Sequence, residues 1–298
     1  MKNILCFISI FLLLGTGQLY SQDSSDENKI ELLKEINSLS IEIKNNNADS
    51  VKISLNNVLV AKVEQLFNIT KINDPILDSI DGISKIKSSD EKVQIFTWGF
   101  ASSTGRSMYY GLVRLNNGKV FKLTSRNSNC NQVYPDNIYY PEDWYGAIYY
   151  DIVKEKYKRQ TYYLLLGWKA GDQNCKCKLI EPLVITDDGI VKFGSPIIVN
   201  ENGIFNREVF KHKPDASFVL KYDQQYIKVQ KRNKIKYKKV NMVVFDHLIS
   251  IAPKNSPMFN EGKFKVPAGD SYDGFIFKEG KWRKVKNIEA RNSPLKKK

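Results

Sequence analysis

The spacing of apolar positions changes once along the chain. Between Asn28 and Lys44 they fall at Ile30, Leu33, Ile36, Leu39 and Ile43, three or four apart, which predicts an amphipathic helix. Asn45-Asn46-Asn47 breaks the run, and Asp49 or Ser50 offers a cap for a second helix carrying Leu55, Leu59, Val63, Leu66 and Phe67. Together they predict an α-hairpin over residues 22–74. After Pro75 the runs become short and rich in β-branched and aromatic residues. Val93 to Trp98 reads as a strand, and Met108 to Leu115 and Val120 to Leu123 flank Asn117-Gly118, a pair that tolerates positive φ and marks a hairpin. The same reading recurs for Tyr145–Val153 with Thr161–Trp168, Cys177–Thr186 with Ile190–Phe193, and Gly274–Lys278 with Lys281–Val285. Phe218–Tyr222, Tyr226–Lys231 and Ile235–Phe245 extend the series. Strand–turn–strand at this spacing argues against βαβ units. The predicted fold is α+β and mainly β: an N-terminal α-hairpin, then a long antiparallel β-meander over residues 75–287 that closes as a barrel, a sandwich or propeller-like blades.

The first 21 residues follow another pattern. Lys2 supplies one positive charge, Ile4 to Leu14 is apolar apart from Ser9, and a small, polar stretch leads to Ser21-Gln22. Those three parts predict a cleavable secretory signal peptide over residues 1–21 and export to the periplasm or the medium. The apolar run is short of the about 20 residues that a membrane span needs. No later segment is apolar enough to span, so no transmembrane anchor is expected in the mature chain. At the other end, Ile288 to Lys298 finishes in Lys296-Lys297-Lys298 and reads as a basic, disordered tail.

Charge separates the two halves. Residues 22–50 carry a net charge of −4, whereas Arg207 to the C-terminus holds 23 basic and 9 acidic residues, as much excess as the whole chain's +14. Such asymmetry points to an anionic partner, an acidic glycan, a lipopolysaccharide surface or an acidic envelope protein, or to no more than a solvated face. No helix-turn-helix, zinc-finger or RNA-binding signature accompanies it, so specific nucleic-acid recognition is not expected.

Cysteine and histidine limit the chemistry. Beyond Cys6 in the leader, the chain has Cys130, Cys175 and Cys177. Export permits a disulfide from Cys130 to Cys175 or to Cys177, leaving one thiol unpaired. Cys175-Lys176-Cys177 is spaced more closely than paired zinc ligands usually are, and no metal or other cofactor is predicted. His212 stands between Lys211 and Lys213 and reads as a solvated surface residue; His247 follows Asp246. Neighbouring strand residues point to opposite faces, so Asp246 can orient His247 only across a bulge or a strand end. No nucleophile elbow, phosphate loop, zinc-protease or calcium motif is present, and carboxylate pairs distant in sequence leave no local signature. Catalytic residues are therefore not assigned. Tyrosine and tryptophan crowd the segment from Tyr134 to Trp168. They read first as core and cross-strand pairs, and second as a stacking surface for sugars or a protein partner.

Several segments carry a resemblance to exported, functionally uncharacterised proteins of Bacteroidetes. They are Ser88-Ser89-Asp90 with Val93–Trp98, Trp144–Tyr150, Tyr162–Trp168, Val244–Leu248 and Ser271–Phe275. The similarity spans roughly residues 75–285. The chain departs from the family in Ser103–Ser107, where a Gly-Gly-Thr-like turn is usual, and in an additional basic hairpin from Tyr226 to Lys239. The resemblance implies origin and export, and brings no activity with it. The expectation is a non-catalytic binding or structural protein of the envelope or secreted fraction, with Asp246, His247, Asp273 and Trp168 as candidate binding residues. A hydrolase acting on an envelope or extracellular polymer is the alternative.

Overall fold

In a computed structural model the described residues are 16–125, 130, 133–171, 175–231 and 234–288, without the side chains of 16–25 and 228–236. Residues 1–15 of the predicted leader and 289–298 of the predicted tail lie outside them. The chain divides into two compact units, one ending at Gly82 and one starting at Ile83.

The first unit is the helical pair. Helix α1 spans Thr16–Asn45 and α2 spans Asp49–Ile69. Thus α1 starts well before Asn28 and runs through the expected cleavage region, with no glycine or proline to stop it after Gly17. The buried positions of α1 are Leu32, Ile36 and Ile43, and Ile30 is exposed, so the apolar stripe is offset from the predicted one. On α2, Leu59, Val63, Leu66 and Phe67 are buried as the spacing predicts. The cap differs from expectation. Ala48 precedes the first turn without a side-chain bond, Asn46 Oδ1 accepts the Ala48 N–H at 2.9 Å, and Asp49 lies in the first turn, where its charge suits the helix dipole. Lys62 and Glu35 join the helices at 2.7 Å. Asn37 Nδ2 donates to the Ser79 carbonyl, and its Oδ1 accepts the Asp81 N–H, tying the segment after α2 back to α1.

The second unit contains fifteen strands in three sheets among the described residues. The first sheet is a plain meander of β1 (Ser84–Lys87), β2 (Val93–Ala101), β3 (Ser107–Leu115) and β4 (Val120–Thr124). Gly118 takes φ +87 in the β3–β4 turn, as Asn-Gly predicts. The middle sheet holds β5 (Ile148–Tyr157), β6 (Gln160–Lys169) and β7 (Lys176–Ile185). Two short strands, β8 (Val191–Phe193) and β11 (Glu208–His212), pair with β7. The third sheet runs β12 (Leu220–Lys231), β13 (Lys234–Ser250), β14 (Lys265–Lys278) and β15 (Lys281–Ile288). It continues through a parallel pairing of β15 with β9 (Ile198–Asn200), which pairs with β10 (Gly203–Phe205). No barrel closes.

Burial explains the layering. On β6, Tyr163 and Leu165 join Val93, Ile95 and Val113 of the first sheet in one core, while Leu164 and Leu166 join Val243, Phe245, Phe275 and Trp282 of the third sheet in another. The middle sheet is therefore covered on both faces, and its strand reads as a continuous apolar run instead of alternating. Two predicted strands, Phe218–Tyr222 and Tyr226–Lys231, are one strand. β12 stays in register with β13 from Leu220 to Lys231, and the polar residues Asp223-Gln224-Gln225 lie within it. Since β13 pairs with β14 from Val243 onward, the outer part of this ribbon pairs only with itself among the described residues.

Candidate functional site

The candidate residues named from the sequence sit mostly in structural roles. Asp246 is buried on β13, and its Oδ2 accepts the Val219 N–H at 2.6 Å, fastening the entry to β12. A bulge between Asp246 and Leu248 interrupts the β13–β14 register. His247, at that bulge, turns to Asp273 on the neighbouring strand, with Nδ1 2.9 Å from Asp273 Oδ2. The other Asp273 oxygen accepts the Asn287 N–H at 3.0 Å, where β14 and β15 shift register. Asp273 is buried and the His247 ring is partly exposed, so the pair braces two strand irregularities. Trp168, near the end of β6, is exposed. His212 departs from the solvated reading. It is buried, its ring stacks on Phe218 at 5.3 Å, and burial lowers its pKa. Strand alternation sends Phe210 and His212 to one face of β11, leaving Lys211 on the other.

Sequence reasoning missed the most buried polar cluster. Glu181 on β7 and Arg207 before β11 meet at 2.7 Å with both side chains fully buried. Glu181 Oε2 accepts hydrogen bonds from Tyr145 at 2.6 Å and Tyr149 at 2.8 Å, and Trp144 Nε1 donates to the Tyr149 hydroxyl at 3.0 Å. Arg207 also donates to the carbonyls of Tyr134, Asn137 and Phe193. Gly194, at φ +105, leaves the room this needs: a Cβ there would stand 2.7 Å from Arg207 Nη2. Burial and the Glu181 charge hold both tyrosine pKa values well above their usual range. The side chains of Glu181, Arg207, Tyr145, Tyr149 and Trp144 are buried, and through them the cluster pins the exposed loop around Tyr134–Asn137.

Lys169 is buried beside it. Its ammonium donates to the Tyr145 carbonyl and lies 5.3 Å from the ring centres of both Tyr109 and Tyr145. Burial pulls its pKa down to about 7, against about 10.4 for an unfolded lysine. Between those values the unfolded chain holds the extra proton, so this residue makes stability rise with pH across that window. Above about pH 10 the raised tyrosines act in the opposite sense. Melting temperature is expected to climb from pH 7 to pH 9, and Lys169→Met to flatten the climb. An equal climb in the variant contradicts the assignment.

Cys130 and Cys177 form the disulfide, and Cys175, which lies outside that bond, is buried and packed against them. Among the described residues no group of three histidine, cysteine or acidic side chains is placed to hold a metal.

A concave surface lies at the end of the β-rich unit, where hairpin turns come together. A groove of about 1020 Å³ runs between the β3–β4 turn at Asn116-Asn117, the β5–β6 turn at Lys158-Arg159 and the β7–β8 turn at Asp187–Gly189. Lys92 borders it as well. Gly280 of the β14–β15 turn stands behind, where an added Cβ would come 2.9 Å from the Tyr162 hydroxyl and 3.2 Å from the Tyr157 ring. Lys92, Lys158 and Arg159 are exposed and have no carboxylate partner among the described residues; Lys158 leans over the Tyr157 ring at 5.4 Å. Beneath them the acid is already engaged: Asp90 accepts from Ser88 and Tyr163 and lies 3.8 Å from Lys154. Asp246, His247, Asp273 and Trp168 do not line this groove.

No protein-family model, curated protein or solved structure matches the chain. The site therefore has to be read from its own chemistry. Turns clustered at one end of a rigid stack of sheets are a common place for recognition, because the strands fix the turns while their side chains face solvent. Cationic and neutral polar groups stand at this one beside apolar residues such as Leu115, Leu183 and Ile197.

Proposed function

We propose that the chain is an exported, non-catalytic binding protein that holds an anionic partner of the cell envelope or its surroundings in the hairpin-end groove. The observation that carries the reading is the set of three exposed cations, Lys92, Lys158 and Arg159, without carboxylate partners among the described residues. Asp246, Asp273, Glu181 and Arg207, by contrast, are engaged in buried bonds that hold the fold together. The basic excess after Arg207 adds long-range attraction for the same class of partner. Export is supported by the leader pattern of residues 1–21 and by the resemblance to exported Bacteroidetes proteins. The hydrolase alternative rests on the His247–Asp273 pair. It ranks second because no hydroxyl or thiol among the described residues is bonded to His247.

A salt series with an immobilised acidic polysaccharide tests the reading. Retention is expected to fall steeply between low and physiological ionic strength, because exposed charges are screened within about 8–10 Å. Lys158→Asn with Arg159→Gln is expected to weaken binding about tenfold at low salt, two exposed ion contacts of up to about 1 kcal/mol each. Asparagine suits position 158, whose φ is +55. Retention that is indifferent to salt and to the double variant would sink the proposal.

A further inference from the structure

We infer that the groove's ligand is an acidic oligosaccharide, a chain of sugar rings that carries carboxylates at intervals. This rests on the binding reading above and narrows it to one ligand class. Size is the first argument. At about 1020 Å³ the groove lies at the upper end of the range for pockets that enclose one drug-sized molecule. It is open and spans turns from separate sheets, which suits a chain more than a compact ligand.

The lining chemistry is the second. Between the cations stand neutral groups that both donate and accept, the carboxamides of Asn116, Asn117 and Gln160 and the hydroxyl of Thr161. Such groups match the paired hydroxyls of a sugar ring, which present a donor and an acceptor side by side. Phosphate and sulfate alone would leave half of that capacity unused.

The third argument is an aromatic wall that is fixed in place. Tyr162 packs on Phe277 with ring centres 5.2 Å apart, and its hydroxyl donates to Gln160 Oε1 at 2.8 Å. A held, amphipathic ring loses little freedom on binding and offers a face to the C–H edge of a sugar. Arg159, with its planar fork of donors, is matched to a carboxylate.

Charge density separates this ligand from a nucleic acid. Lys92, Lys158 and Arg159 stand against Asp187, a lining charge of three positive to one negative. A polynucleotide carries a phosphate at every step and calls for a denser cationic track. A sparse set of cations among many neutral polar groups fits a ligand of low charge density.

The test is equilibrium titration of the full chain without its leader. The probes are short oligogalacturonate, oligoalginate, the methyl ester of oligogalacturonate, and an oligonucleotide of similar length. At least one of the two acidic sugars is expected to bind about tenfold more tightly than the neutral ester, a difference that salt erodes. Tyr162→Ala is expected to weaken acid and ester alike, whereas Tyr162→Phe keeps the ring and most of the binding. Arg159→Gln is expected to remove only the preference for the acid. A Tyr162→Ala protein whose melting curve is intact and whose affinity is unchanged overturns the inference. So does tighter binding of the oligonucleotide than of either acidic sugar, or wild-type protein that binds neither sugar. If the sugars fail while the acidic polysaccharide column still retains the protein through Lys158 and Arg159, the anion-binding reading stands and only the ligand class is lost. If the column result fails too, both are lost.

Discussion

Replacing Arg207 with alanine is expected to destabilise the β-rich unit by about 3–5 kcal/mol, the usual cost of leaving a buried charge without its partner. For a unit of this size that corresponds to a fall in melting temperature of about 6–20 °C. The cause is specific. Glu181 would keep the hydroxyls of Tyr145 and Tyr149 and lose the guanidinium at 2.7 Å, while the carbonyls of Tyr134, Asn137 and Phe193 would each lose the bond from Arg207. The converse replacement separates pairing from packing. Glu181→Leu with Arg207→Met removes both charges and is expected to recover much of the loss, because buried ion pairs add little net stability over apolar side chains of similar volume. A single variant that melts like the wild type would show that the cluster does not hold the loop.

Loss of the disulfide is the second large effect. Cys130 and Cys177 are 47 residues apart in sequence, and a loop of that length is worth about 4 kcal/mol in the chain-entropy account. Cys130→Ala with Cys177→Ala is expected to lower denaturant midpoints and to steepen the dependence on denaturant concentration, because the unfolded chain without the bridge exposes more surface. The same experiment counts thiols. In denaturant a chain without residues 1–21 is expected to titrate one, Cys175, whereas a chain that keeps them titrates Cys6 as well. In the native state Cys175 is expected to resist alkylation, since it is buried beside the disulfide. A wild-type protein with no protected thiol would contradict the pairing.

Much of the architecture was legible because local pattern and tertiary environment agree. The α2 stripe, the Asn117-Gly118 turn and the β14–β15 hairpin follow directly from spacing and turn chemistry. The short strands β9, β10 and β11 went unread, because three to five positions show no period. Polar residues inside β12 read as a break, since nothing local reveals that a ribbon with a solvated face continues through them. His212 was misjudged from its lysine neighbours, although alternation along a strand puts neighbours on opposite faces. Alternation also kept Asp246 from orienting His247. The partner that does so, Asp273, is 26 residues away and becomes visible only once β13 and β14 are in register.

The candidate site was not legible for a related reason. Asn116, Lys158, Arg159 and Asp187 each belong to an ordinary polar turn, and turns of this kind normally just connect strands. They become a site because three sheets end together, and the length and stacking of those sheets are set by cores that no local window contains. Glu181 and Arg207 share the difficulty, being 26 residues apart and joined only by folding.

Lysine acylation footprinting of the protein, with and without an acidic polysaccharide at saturating concentration, tests the central claim most directly, because it locates the ligand residue by residue. Lys92 and Lys158 are expected to be protected, while Lys221 and Lys254, exposed elsewhere on the unit, keep their reactivity. Protection confined to Lys238 and Lys239 on the β12–β13 ribbon, with Lys92 and Lys158 unchanged, would contradict it and move the binding face away from the groove.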